Sequence, residues 1–313
     1  MFRTVLTSLL AVLVLCGSAF AAEKTLIAAA NPTWPPMEFL DENKNIIGYD
    51  RDIIAAIAEE IGMKSEFRNI AWDGIFASLE SGQANVIASC VTITDKRKKA
   101  YVFSDPYYEV HQAVVVAKDS AIKKPEDLKG KKVGVQIGTT AIEALRKMNV
   151  DIDLRTYDEV GLVFEDMRNG RLDVVVCDDP VARYYASRKE GYKDLMKVAF
   201  LTEDVEYIGF VFSKDNAELA AQVNKGLKAI RENGKEKAIR NKWLGEEFFK
   251  IEDWGGERKT FFRKFSFPLP KPHPFPFKDF CPYRIPAAGF PGRQEEAPPK
   301  RVRLRGALFI GEY

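Results

Sequence analysis

The sequence predicts an α/β protein of two lobes, each an open, mostly parallel sheet flanked by helices, with a two-strand hinge between them. Three observations carry that prediction. A strand–helix–strand–helix–strand rhythm runs from about residue 25 to 89 and restarts from about 133 to 177. Gly82-Gln-Ala-Asn-Val-Ile-Ala88 and Gly170-Arg-Leu-Asp-Val-Val-Val176 repeat one device, a helix-ending glycine that feeds a buried strand. At 313 residues the chain is also long enough to bury two cores of ordinary size.

The elements follow in order. Thr25–Ala30 is an apolar run of strand length, closed by Asn31-Pro-Thr-Trp-Pro-Pro36, where three prolines in five positions bar a helix or a central strand. Gly48-Tyr-Asp50 opens a helix on which Ile53, Ile54, Ile57 and Ile61 recur at helical spacing, and Gly62 ends it. A strand at 65–69, an amphipathic helix at 72–81 and a buried strand at 84–89 complete the first unit, and Thr94-Asp95 starts a further helix. Residues 103–108 break the rhythm before a strand at 111–118. The second unit reads strand 133–136, helix 139–148, strand 152–157, helix Val160–Arg168 and strand 172–177, with a helix at 180–187 after it. A strand at 205–213 precedes helices at Ala217–Glu232 and 236–244. If those helices pack back on the first lobe, the chain crosses between lobes twice, near 108–111 and 202–205, which favours a hinge.

Composition excludes several classes. The net charge of +2 hides a split: residues 255–313 carry +7 and the remainder −5, so the body offers no basic face for nucleic acid. With only His111 and His273, a histidine-rich metal site is not expected, and no cofactor is implied. Cys16, Cys90, Cys177 and Cys281 form no CxxC pair. No Ser/His/Asp set or paired catalytic carboxylates stand out, so no catalytic residue is assigned. Arg3, the apolar run 5–15 and Ala19-Phe-Ala21 have the form of an export signal cleaved after Ala21. The run is shorter than a spanning helix needs, and the bulky Leu15 before Cys16 disfavours lipid attachment without excluding it. Beyond Trp254 lie ten of the sixteen prolines and nine of the twenty-one phenylalanines without helical or strand period. That tail reads as a disordered or aberrant appendage, with a proline-rich tether as the alternative.

The polar groups collect at strand ends, where open α/β sheets bind ligands. Ser89, Thr92 and Thr94 follow the strand 84–89, and Arg97 stands one turn into the next helix, able to grip a carboxylate with two parallel hydrogen bonds. The plain alternative is that Thr94 and Asp95 cap the helix and Arg97 is a solvated charge. Likewise Asp178 with Asp179, and Thr139 with Thr140, are either ligand groups or helix caps. Trp34 and Trp72 are either cleft walls or core aromatics.

Four stretches in register resemble the periplasmic solute-binding proteins of the polar amino-acid class, the capture subunits of ABC importers. They are Gly48-Tyr-Asp-Arg-Asp-Ile-Ile-Ala-Ala-Ile-Ala58, Thr92-Ile-Thr-Asp-Lys-Arg97 with Phe103-Ser-Asp-Pro-Tyr107, Val133-Gly-Val-Gln-Ile-Gly-Thr-Thr140, and Gly170-Arg-Leu-Asp-Val-Val-Val-Cys-Asp178. The resemblance spans roughly residues 24–250. It implies a periplasmic-binding-protein-like fold with a signal peptide at 1–21, one lobe from 22–109 plus 205–250, a second from 110–204, and the tail from 251–313. It further implies capture of one amino acid by lobe closure, delivery to a membrane permease, a periplasmic location and a monomeric state. Carried over by position, Arg97 holds the ligand's α-carboxylate with backbone N–H groups near Thr92 and at Thr139 and Thr140. Asp178 takes the α-ammonium, completed by Thr92 and the backbone around Cys90. Ser89 stands beside them. Trp34 and Trp72 flank the side chain, and Asn31 and Gln136 read its tip.

Two departures from the pattern matter. Arg51 replaces an aliphatic residue, on the exposed helix face. Neutral Asn31, where relatives that bind cationic side chains often have an acid, joins neutral Gln136 in pointing to a polar uncharged side chain. Cys90 and Cys177 abut the expected pocket from opposite lobes, as a disulfide that locks the cleft or as two small buried residues. The competing functions on the same fold are a prephenate-dehydratase-like enzyme and an amino-acid sensor module.

Overall fold

A computed structural model describes residues 24–245 and 301–303 of the chain. The export signal expected at 1–21 lies outside the described residues, as does the tail at 251–313 apart from three positions.

The chain begins with β1 (Thr25–Ala30), then β2 (Thr33–Trp34), β3 (Glu38–Leu40) and β4 (Ile46–Ile47) before α1 (Tyr49–Glu60) and β5 (Lys64–Asn69). A short helix α2 (Ala77–Glu80), β6 (Val86–Ile87), α3 (Asp95–Ala100) and β7 (Val102–Phe103) follow. Then come β8 (Tyr108–Val110), β9 (Gln112–Ala117), β10 (Lys132–Gln136), α4 (Ala141–Met148) and β11 (Asp153–Tyr157). After α5 (Val160–Arg168), β12 (Val174–Asp178), α6 (Asp179–Ser187) and β13 (Met196–Leu201), the chain returns through β14 (Glu206–Ile208) and β15 (Val211–Phe212) to α7 (Ala217–Glu232) and α8 (Lys235–Trp243).

Two sheets form the two lobes. The first has the order β5-β1-β6-β15-β7, with β1 parallel to both β5 and β6. The second has the order β13-β9-β12-β10-β11, with β10 parallel to β11 and β12 and the flanking β9 antiparallel. Between them β8 and β14 pair antiparallel as a separate ribbon, Tyr108 opposite Ile208 and Val110 opposite Glu206. This is the expected two-strand hinge, at the crossings read from the sequence.

The differences have local causes. The predicted helix at 72–81 is a 3-10 turn, Trp72–Gly74, followed by a single α-turn. The strand at 205–213 is split at Gly209 into β14 on the hinge and β15 in the first sheet, so one apolar alternation serves two sheets. The proline loop folds into a three-stranded ribbon, β2-β3-β4, off the main sheet, where proline's missing donor is harmless. Met196–Leu201 is a strand that the sequence reading missed. Residues Arg301–Arg303 of the tail pair antiparallel with β11, an edge strand whose free backbone groups accept such an addition.

Helix α1 shows how packing places the site. Tyr49, Asp50, Ile53, Ile54 and Ile57 form its buried stripe, in one cluster with Val223, Leu227 and Ile230 of α7. Its first N–H groups find partners in the proline loop: Tyr49 donates to Pro36 O (3.0 Å) and Asp50 to Met37 O (2.9 Å). The loop can lie this close because residue 48 is glycine, with φ 134° and ψ 179°. A Cβ there would sit 2.2 Å from Met37 O. Gly48→Ala is therefore expected to lower the unfolding free energy by about 2 kcal/mol or more, read as an earlier urea midpoint; an unchanged midpoint would show that the loop is free to withdraw.

Candidate functional site

The carboxyl ends of β1, β6, β10 and β12 converge on one small cavity lined by Trp34, Trp72, Ser89, Cys90, Thr92, Arg97, Thr139, Thr140 and Asp178. Nine of the eleven residues singled out from the sequence thus meet at one place. Asn31 and Gln136 stand behind them: Trp34 Nε1 donates to Gln136 Oε1 (2.6 Å), and Gln136 Nε2 donates to Asn31 Oδ1 (3.3 Å) and Asp158 O (2.9 Å). Trp34 is both core and wall, 6% exposed and packed among second-lobe side chains although it comes from the first-lobe ribbon.

Arg97 sits where α3 presents it. Thr94 does cap that helix, its Oγ1 accepting from the Arg97 N–H (3.2 Å), yet the guanidinium is not a free surface charge. Nη1 donates to Thr92 O (2.9 Å) and Nη2 to Gly138 O (3.2 Å), and the group lies over the Trp72 and Phe76 rings. Burial lowers its pKa from the ordinary value, opposed by the charges of Asp178 and Glu206. Gly138, with φ 73°, leaves Trp72 Nε1 only 3.1 Å from where a Cβ would project.

Asp178 makes no capping bond to α6. Its Oδ1 accepts from Gln112 Nε2 (2.6 Å) and its Oδ2 from the Cys90 thiol (3.6 Å). Burial, then the charge of Glu206, raises it to about 7. Thr140 does not cap α4 with its side chain either. Its hydroxyl donates to Glu206 Oε2 at 2.6 Å, whereas Thr139 Oγ1 donates to Gln136 O at 2.8 Å. Cys90 and Cys177 are both buried and free, and burial raises both thiols well above their ordinary value.

Four polar residues at or behind the site escaped the sequence reading: Glu38, Asp50, Gln112 and Glu206. Ser89 Oγ donates to Glu38 Oε1 (2.9 Å) and accepts from the Asn31 N–H (3.0 Å). Asp50 Oδ2 accepts from the Cys90 N–H (2.6 Å) and the Tyr107 hydroxyl (2.7 Å). Glu38 and Asp50 are both fully buried, and Glu38 Oε2 and Asp50 Oδ1 have no hydrogen-bond partner. Two carboxyls this deeply buried cannot both be charged, so one of them is protonated. These two carboxyls have no solvent exposure, so they are not the paired catalytic carboxylates whose absence the sequence indicated. A signal for Asp50 was present, since it falls on the same helical stripe as Ile53, Ile54 and Ile57. Glu206 keeps the alternation of Ile208, Phe210 and Phe212. Glu38 has no comparable mark. Arg51, expected on the exposed face, is half-exposed and lies over Phe67.

Residues 26–246 match the family described as bacterial extracellular solute-binding proteins, family 3. The L-cystine-binding protein TcyJ of Escherichia coli (strain K12) is 32% identical over 228 residues, 72% of this chain and 85% of that protein. Among solved structures, an ancestral arginine-binding protein bound to glutamine is 38% identical with a TM-score of 0.67, covering 72% of this chain and 99% of its own. An ancestral amino acid-binding protein, a precursor of cyclohexadienyl dehydratase, is 36% identical with a TM-score of 0.65, covering 70% and 95%.

The buried acid pair sets a pH dependence. Burial, offset in part by the Tyr107 hydroxyl, the Cys90 N–H and Glu38, leaves Asp50 raised to about 6, and burial with the Asp50 charge raises Glu38 well above its ordinary value. A carboxyl raised by folding binds its proton more tightly in the folded state. Its contribution is therefore complete below about pH 4 and fades as pH rises through about 6. Asp50→Asn mimics the protonated form, so the variant should gain on wild type by roughly 1–3 kcal/mol between pH 4.5 and 7.5. Urea unfolding at both values checks this; a difference independent of pH would mean that neither acid holds a proton.

Proposed function

The chain belongs to family 3 of the bacterial extracellular solute-binding proteins, and from that premise we propose that it captures a free L-amino acid with a polar, uncharged side chain and delivers it to the permease of an ABC importer. It is a binding protein of the amino-acid transport class rather than an enzyme, and a secreted one. We assign it to the periplasm as a monomer, its export signal removed after Ala21. The observation that carries the reading is the placement of Arg97 and Asp178, from the helix after β6 and the end of β12, on one cavity between the two sheets. A zwitterion offers the matching pair of charges. Arg97 grips the α-carboxylate, aided by the backbone N–H groups that open α4, where an anion is favoured. Asp178 receives the α-ammonium, and Trp34 and Trp72 flank the side chain.

The lean toward a neutral side chain rests on what stands behind Trp34. Gln136 and Asn31 bring amides and no charge, so a lysine- or arginine-like tip would be buried without a counter-ion. Of the relatives named above, one binds cystine, without net side-chain charge at neutral pH, and an arginine-binding one was solved with neutral glutamine in place.

Closure follows from differential contact. The ligand touches one lobe when the cleft is open and both when it is shut, so it favours the shut state by the additional contacts made there. The hinge ribbon of β8 and β14 is the element that bends.

A thermal-shift panel of the twenty amino acids tests the reading. A true ligand at a hundred times its dissociation constant adds about 2.7 kcal/mol of stability; a folded protein that responds to none of them overturns it. Arg97→Ala and Asp178→Ala should each weaken the best ligand by about 2–5 kcal/mol, roughly thirty- to several-thousand-fold. Wild-type affinity in either variant would remove that residue from the site. Because the ammonium needs an ionised Asp178, and that carboxyl stands at about 7, affinity should rise roughly tenfold from pH 6 to 8. Titration calorimetry at the two values reads this, and Asp178→Asn should flatten it.

A further inference from the structure

We infer that Glu206, on the hinge strand, is the residue that makes the threonine hydroxyls of both lobes into acceptors for the ligand's α-ammonium. The inference rests on the amino-acid reading above and extends it to a residue outside the cavity lining.

Glu206 Oε2 receives three donors. Thr92 Oγ1 of the first lobe lies at 3.1 Å, Thr140 Oγ1 of the second at 2.6 Å, and Gln112 Nε2 of β9 at 3.4 Å. A carboxylate accepts and does not donate, and a hydroxyl has a single proton. Both hydroxyl protons are therefore committed to Glu206. Thr92 Oγ1 and Thr140 Oγ1, 3.3 Å apart, have none left for each other or for the cavity. Thr140 Oγ1 also accepts from Gln112 Nε2 (3.3 Å), so what the two hydroxyls can offer a ligand is their remaining lone pairs.

The neighbouring groups have the same character. Asp178 accepts from Gln112 Nε2 and the Cys90 thiol, and Gln112, which is fully buried, keeps an Oε1 with no donor. Two carboxylates, two oriented hydroxyls and an amide oxygen exceed the donors present. An –NH3+ group brings three N–H donors and one charge, whereas a carboxylate brings acceptors only. Thus this end of the cavity selects an ammonium, and the anion is left to Arg97 and the backbone at α4. Charge agrees, since the Glu206 carboxylate faces both Arg97 and Asp178.

The location adds a coupling to closure. Thr92 follows β6, Thr140 precedes α4, and Glu206 belongs to the ribbon between the lobes. The acceptor pair exists only when the lobes bring the two threonines onto one carboxylate. Amine recognition and hinge angle are then one event.

The test compares each protein's affinity for its tightest amino acid in the panel with that for the same acid lacking the α-amine; for L-glutamine the second probe is glutaramate. Glu206→Gln keeps the shape and removes the charge that orients the hydroxyls. It should weaken the amino acid by about tenfold or more and leave the des-amino acid within about threefold, so the preference for the amine collapses. Thr92→Val should do the same, and the double variant should lose no more than the greater single loss. Equal loss on both probes would make Glu206 a general closure contact, and an unchanged ratio would deny it any part; either overturns the inference while the amino-acid reading stands. Wild-type protein that binds no amino acid overturns both.

Discussion

The burial of two acids, Glu38 and Asp50, behind the cavity is the constraint on which it depends. Two carboxyls without solvent cannot both be charged, so one stays protonated. Each then holds a loop in place. Glu38 ends the proline ribbon and takes the Ser89 hydroxyl; Asp50, at the start of α1, takes the Cys90 N–H and the Tyr107 hydroxyl. The segment 89–92 can therefore turn sharply, with Cys90 in the left-handed region at φ 46°, an uncommon conformation for a side chain. Its cavity-facing groups inherit their positions from acids that the cavity never touches.

Much of the architecture was legible because it follows from periodicity. The helical stripe of α1 and the paired glycine-to-strand devices at 82 and 170 each express one rule over several residues. What escaped depends on one or two. The break at Gly209 turns an unbroken apolar alternation into a hinge strand and a sheet strand, and only packing decides where it falls. The helix at 72–81 divides into a 3-10 turn that carries Trp72 and a short α-turn, and no break in its apolar spacing marks the division.

The site divides in the same manner. Arg97, Asp178 and the two threonines stand at strand ends, which topology makes visible in advance. Gln112 and Glu206 lie on the hinge side and meet Asp178 and the threonines only through pairings across the sheet and the ribbon, such as Asp178 opposite Gln112. No spacing along the chain records that adjacency. The threonines illustrate the limit best, since their residue type was read correctly while the direction of their protons depends on an acid more than sixty residues away.

Position 138 bears on how the two lobes meet. Its carbonyl takes the Arg97 guanidinium, while Trp72 Nε1 lies 3.1 Å from where a Cβ would project. A substituent here would press on the Trp72 indole across the cleft, and the left-handed backbone would be strained besides. The arginine and the indole thus share one spot because the chain leaves a methyl group out of it.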